Sequence, residues 1–112
     1  MISVLLVRNK CGEFCSCSAS GHAGFAAIGS DIVCSAVTVL LRTTMQVLSE
    51  TAGVALTAQT HKRGTLEFGI EKKAVLPELT AKLVYAADFL ETGIAALANE
   101  YPQHVALKMQ HC

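Results

Sequence analysis

"EFCSCSASGHAGFAAIGSDIVCSAVTVLL", residues 13–41, changes period part-way along, and that change decides the fold. Up to Ser20 the residues alternate. Cys15, Cys17 and Ala19 fall on one face of an extended chain and Phe14, Ser16 and Ser18 on the other, as a strand requires. From Ser30 and Asp31, residue types that cap a helix N-terminus, the pattern becomes that of an apolar helix running to about Glu50. Ile32, Val33, Ala36, Val37, Leu40 and Leu41 leave its first half little polar surface, so the helix is expected to be central and buried. The loop between the two carries Gly21, His22, Ala23, Gly24 and Gly29 and no charge.

On the N-terminal side, "ISVLLV" at 2–7 is β-branched and aliphatic, a strand pattern, and "NKCG" at 9–12 is turn chemistry. These two runs make a hairpin with residues 13–20. On the C-terminal side, "GVALTAQT" at 53–60 and "TLEFGIE" at 65–71 flank the turn "HKRG". Leu66, Phe68 and Ile70 share one face there, so this is a second hairpin. Pro77 suits the first turn of a second helix, with Leu79, Leu83, Ala87, Leu90, Ile94 and Leu97 as its apolar stripe. Tyr101-Pro102 stops it, and "HVALKMQ" follows as a final strand with Val105, Leu107 and Met109 inward. The order is ββαββαβ. Helices with one apolar stripe need a sheet to lie on, so the fold class is α/β (α+β). The expected architecture is one domain over 1–112, a two-layer sandwich of two helices on a mostly antiparallel sheet.

Composition narrows the function. With 52% hydrophobic and 16% charged residues, the 112-residue chain is not disordered and can bury a core without staples. Nine basic and nine acidic residues cancel, which argues against direct nucleic-acid binding or a membrane surface. The start "MISVLLVRNK" lacks the positive region of an export signal, and the run "IVCSAVTVLL" at 32–41 is about half the ~20 residues of a membrane span. Five cysteines without an export signal fit a reducing, cytoplasmic setting.

The chemistry centres on His22 and Cys34. His22 lies at a strand end and Cys34 within the first turn of the next helix, so the eleven intervening residues can bring both to one sheet edge. A helix N-terminus favours a thiolate, and a neighbouring histidine can take the thiol proton. Free N–H groups at the helix start could hold an oxyanion, and Asp31 could orient His22 or cap the helix. Such a pair suits peptide cleavage. The residues also allow plainer readings: Cys34 as core, His22 as a turn residue and Asp31 as a cap.

Cys11, Cys15 and Cys17 with His22 invite zinc, but C-x3-C-x-C does not match the usual finger or ribbon pairs. Cys15 and Cys17 read instead as small buried hydrophobes, and no metal or cofactor is expected. His111-Cys112 reads as a frayed end, His61, Lys62 and Arg63 as a solvated hairpin tip, and Glu71 and Glu91 as surface charges.

"GHA" at 21–23 followed by "DIVCSAV" at 31–37 resembles the ribosomal-processing cysteine protease family Prp, and the resemblance spans the whole chain. It implies a cytoplasmic cysteine endopeptidase that removes a short N-terminal extension from large-subunit ribosomal protein twenty-seven, a step in ribosome assembly. It implies His22 as the histidine, Cys34 as the nucleophile and Asp31 as the acidic residue ahead of it. Gly21 and Ala23 complete the first motif. A homodimer is implied as well, with a mobile loop that orders over bound peptide, for which Gly24 and Gly29 are suitable hinges. The chain departs from the family in having Ser35-Ala36 where two alanines are usual, and Thr38 where serine is. Two other classes stand beside this one. The first is a non-catalytic ribosome-associated assembly factor with Cys34 in its core, and the second is a small zinc-binding module.

Overall fold

The computed structural model describes residues 1–21, 28–59 and 64–112, with backbone alone for residues 28–31. Its elements are β1 (Ile2–Arg8), β2 (Phe14–Ser20), α1 (Ile28–Ser49), β3 (Val54–Gln59), β4 (Thr65–Lys72), α2 (Pro77–Glu100) and β5 (Val105–His111). This is the ββαββαβ order read from the sequence. The five strands form one sheet in the order β3-β4-β2-β1-β5. Each hairpin supplies an antiparallel pair, and β2 also pairs antiparallel with β4. Only β1 and β5 run parallel, because β5 returns after the long α2 crossover.

The two helices bury their stripes against the sheet. Val33, Val37, Leu41 and Leu48 of α1 and Leu79, Leu83, Ala87, Leu90 and Ile94 of α2 join Ile2, Val4, Leu6, Phe14, Cys17, Ala19, Phe68 and Val105 in one core. Phe14 and Phe68 stack across β2 and β4 with ring centroids 5.6 Å apart. Leu76 is extended ahead of Pro77, which opens α2 where a missing N–H costs nothing. At its far end the Tyr101 N–H donates to the Leu97 carbonyl.

Polar groups lock the β1–β2 turn to the rest. Arg8 donates to Asp88 at 2.7 Å and to Glu91 at 2.9 Å, both on α2. Glu91 is therefore an ion-pair partner and not a bystander on the surface. Glu13 is buried and accepts from Asn9 at 2.8 Å and Lys72 at 2.9 Å. Those bonds, the Asn9 one first, hold its carboxyl below the ordinary value of 4.5. Glu71 does face water, beside Lys73.

Four details differ from the sequence reading. First, β2 contains a bulge: Val7 pairs with Ser16 and Arg8 with Phe14, so Cys15 is an extra residue. The bulge resets the alternation, which puts Phe14 in the core with Cys17 and Ala19 and leaves Cys15 only half-buried. Second, α1 begins at Ile28, so Ser30 and Asp31 are inside its first turn and do not cap it. Third, α1 is not buried all round, since Ile32, Val39 and Val47 are exposed. Its segment Ile32–Ser49 is long and apolar enough to cross a membrane by length and composition alone. The same composition follows from a helix whose stripe of Val33, Val37, Leu41 and Leu48 fills a core. Fourth, Met109 is exposed whereas Leu107 packs on the core, because β5 is an edge strand that the helical layer covers only in part. The basic tip His61, Lys62 and Arg63 lies outside the described residues.

Candidate active site

Cys34 is the seventh residue of α1 and half-buried at the margin of the core. It lines a cleft of about 220 Å³ between α1 and the ends of three strands. Ile2 of β1, Ala19 and Ser20 of β2, and Thr65 and Leu66 of β4 form the sheet side. Cys34, Val37, Thr38, Leu41 and Arg42 form the helix side, following the three-and-four spacing of one helix face. The lining is mainly apolar, with hydroxyls, a thiol and one guanidinium among it.

Gly21 lines the same cleft. Its φ is +110°, a backbone conformation open to glycine, and a Cβ there would run into the Met1 carbonyl. The first residue of "GHA" is thus pinned between the chain start and the wall that carries Cys34. His22, Ala23 and Gly24 lie outside the described residues. Gly29 and Asp31 are described by backbone only, within the first turn of α1, and Ser35 is exposed beside Cys34. The structure therefore brings Gly21 and Cys34 to one cleft, as the strand–loop–helix path requires.

The earlier start of α1 changes one part of the chemistry. Only the first four N–H groups of a helix lack a partner within it, and here those belong to residues 28–31. Cys34 sits in the second turn, where the helix field is weaker than at the terminus.

Two of the other cysteines have raised thiols. Burial pushes the Cys17 thiol up to about 12. Burial, then the neighbouring Cys112 thiol, pushes Cys15 up to about 12 as well. Among the described residues no group of three or more His, Cys, Asp or Glu side chains could hold a metal ion. A second, larger groove of about 970 Å³ runs between α1 and α2, lined by Val47, Tyr85 and Phe89 among others, and no cysteine or histidine lines it.

Arg42 and Thr65 were not singled out from the sequence. The spacing Cys34–Thr38–Arg42 carries the signal for Arg42, since residues four apart share a helix face. Nothing local marks Thr65, which reaches the cleft only through the β2–β4 pairing that sets it opposite Ser20.

A family model described as cysteine protease Prp matches residues 1–106. The chain belongs to the cysteine protease Prp family. This protease is therefore a peptide-bond hydrolase of the cysteine class, which sets aside the zinc-module and non-catalytic readings. Its fold is similar to that of SMU.848 from Streptococcus mutans, with 27% identity, TM-score 0.79, and 100% and 96% of the two chains covered. It is also similar to the essential ribosomal processing protease Prp of S. aureus in complex with a substrate peptide, at 15% identity and TM-score 0.78, covering 98% and 100%. The same S. aureus protease with a covalently linked product peptide matches at 17% identity and TM-score 0.77, with 98% and 100% covered. Curated proteins give no match.

Proposed function

We propose that this protease processes a ribosomal protein, removing the N-terminal extension of large-subunit ribosomal protein twenty-seven, with Cys34 as nucleophile and His22 as base. The observation that carries the reading is the cleft, which Cys34 lines together with strand-end residues and with Gly21, the residue that precedes His22. A peptide laid along such a groove meets extended backbone on one wall and a thiol on the other. The S. aureus Prp, a ribosomal processing protease, binds a substrate peptide and a covalently linked product peptide, which supports the same class of substrate here.

In this mechanism His22 takes the Cys34 proton as the sulfur attacks the scissile carbonyl. His22 then gives that proton to the leaving amine, and an acyl-enzyme remains on Cys34. Water, activated by the same imidazole, hydrolyses it. N–H groups in the first turn of α1 and the Thr38 hydroxyl, which lines the cleft, serve as donors for the oxyanion in this mechanism. Asp31, in the first turn of α1, has the helix-favouring charge there and serves as the orienting residue.

The protease acts as a cytoplasmic homodimer in this reading. Tyr85, Phe89 and Val47 are exposed around the α1–α2 groove, an apolar face that a second copy can cover. Incubation with the organism's own full-length ribosomal protein, followed by mass spectrometry, tests the substrate. A single cut near the N-terminus is expected. An intact substrate beside a protease that cleaves other peptides would remove this substrate and keep the family chemistry.

A further inference from the structure

Two thiols meet at the end of the sheet away from the cleft. Arg8 of β1 pairs with Phe14 of β2 on one side and with His111 of β5 on the other. Cys15 and Cys112 are the next residues after those two partners, and their Sγ atoms stand 2.8 Å apart. Neither position is accidental. The bulge makes Cys15 the extra residue of β2, and the Cys112 N–H donates to the Arg8 carbonyl at 3.0 Å, so the chain end is held and not frayed. A disulfide needs sulfurs about 2.05 Å apart, less than about 1 Å closer than they stand here.

We propose that Cys15 and Cys112 are a reversible redox pair that closes to a disulfide when a low-molecular-weight disulfide reaches it, stapling the C-terminal edge strand to β2 across β1. Cys112 is exposed and attacks first, forming a mixed disulfide and releasing one thiol of the oxidant. Cys15 then loses its proton to solvent and attacks the Cys112 sulfur, and the second thiol leaves. The two protein thiols are oxidised, and one oxidant disulfide is reduced to two thiols. This order fits the raised thiol of Cys15, which burial first and then its Cys112 neighbour make the poorer first attacker. The mechanism of the protease uses neither residue. The cleft opens at Ile2, and Arg8 is about 20 Å along β1 from it, at ~3.3 Å per residue. Cys34 therefore stays free when the staple closes.

The test is incubation of the reduced Cys34→Ala protein in glutathione buffers of increasing oxidised fraction, an acid quench, then intact mass and peptide mapping. The expected result is loss of two hydrogens and a cross-link joining the Cys15 peptide to the Cys112 peptide. Closing a span of 97 residues should raise the Tm by about 10 °C or more. Cys112→Ser should lack both the cross-link and the Tm shift, and should stay folded because only the last residue changes. Cys15→Ser should do the same if it folds. In the unsubstituted protein, the stapled form should still take up iodoacetamide at Cys34. A cross-link that maps to Cys11, thiols that stay free in fully oxidised glutathione, or an unchanged Tm on closure would each overturn the proposal.

Discussion

Gly21→Ala probes the join between fold and site. Gly21 has φ +110°, and a Cβ added there points into the backbone carbonyl of Met1, which cannot rotate away as a side chain could. Gly12 offers an internal reference. Its φ is +82°, but its Cβ would meet nothing nearer than the Arg8 Nη2 at 3.4 Å, the end of a flexible side chain. Gly12→Ala should therefore cost only the left-handed strain, about 1 kcal/mol. Gly21→Ala should carry that strain and must also displace Met1 or the loop entry, for a total of about 3 kcal/mol. At roughly 4–8 °C per kcal/mol, the expected Tm losses are about 5 °C for Gly12→Ala and about 15 °C for Gly21→Ala. Thermal and urea unfolding of the two variants beside the parent measure the difference. Activity separates them further. Gly21 lines the cleft and precedes His22, so Gly21→Ala should lose on the order of 100-fold in kcat/KM where it is still folded. Equal stability losses for the two variants would refute the role given to the Met1 carbonyl.

Other expectations follow from the same contacts. The Glu13 carboxyl titrates below 4.5 in the folded protein, so its contribution is present above that pH and is lost as the pH falls through the lowered value. Glu13→Gln should lower stability at neutral pH and flatten the acid limb of the stability profile; an acid limb of unchanged slope would assign that limb to other groups. Brief alkylation of the native reduced protein with iodoacetamide should label Cys34 and leave Cys17 unmodified until unfolding, because Cys17 is in the core with its thiol pushed up to about 12. Peptide mapping that finds Cys17 labelled in the native protein would contradict the packing of β2. Tyr85→Glu, at the exposed α1–α2 groove, should convert a dimer to a monomer by light scattering; a dimer that survives it would place the interface elsewhere.

Much of this was legible in the sequence because side-chain periodicity reports burial directly. The stripe from Leu79 to Ile94 and the alternation around Phe68 gave α2 and β4 their faces, and the run from Ile32 gave α1. What stayed hidden depends on neighbours distant in the chain. The bulge at Cys15 arises from how β2 pairs with β1, and nothing in "EFCSCSAS" marks which residue will be the extra one. It shifts the alternation, so Phe14 entered the core and Cys15 left it for Cys112, 97 positions away. The exposure of Met109 likewise follows from the edge position of β5, which strand order sets and local pattern does not. Cys34 lines the cleft, at a position that its motif and its helix single out in the sequence. Gly21 was readable as a motif residue, yet its contact with Met1 was not, since chain starts carry no pattern. The helix start moved from Ser30 to Ile28 because Ser and Asp are also tolerated in a first helical turn, where their types no longer mark a cap.

The role of Cys34 is most directly measured by single-turnover cleavage of a peptide substrate by the parent, Cys34→Ala and His22→Ala proteins, each shown to be folded by its thermal transition. A cysteine nucleophile with a histidine base predicts that the parent transiently carries the acyl fragment on the Cys34 peptide. Both variants should lose several orders of magnitude in rate, with no adduct on Cys34→Ala. A folded Cys34→Ala protein that still cleaves at the parental rate would contradict the account.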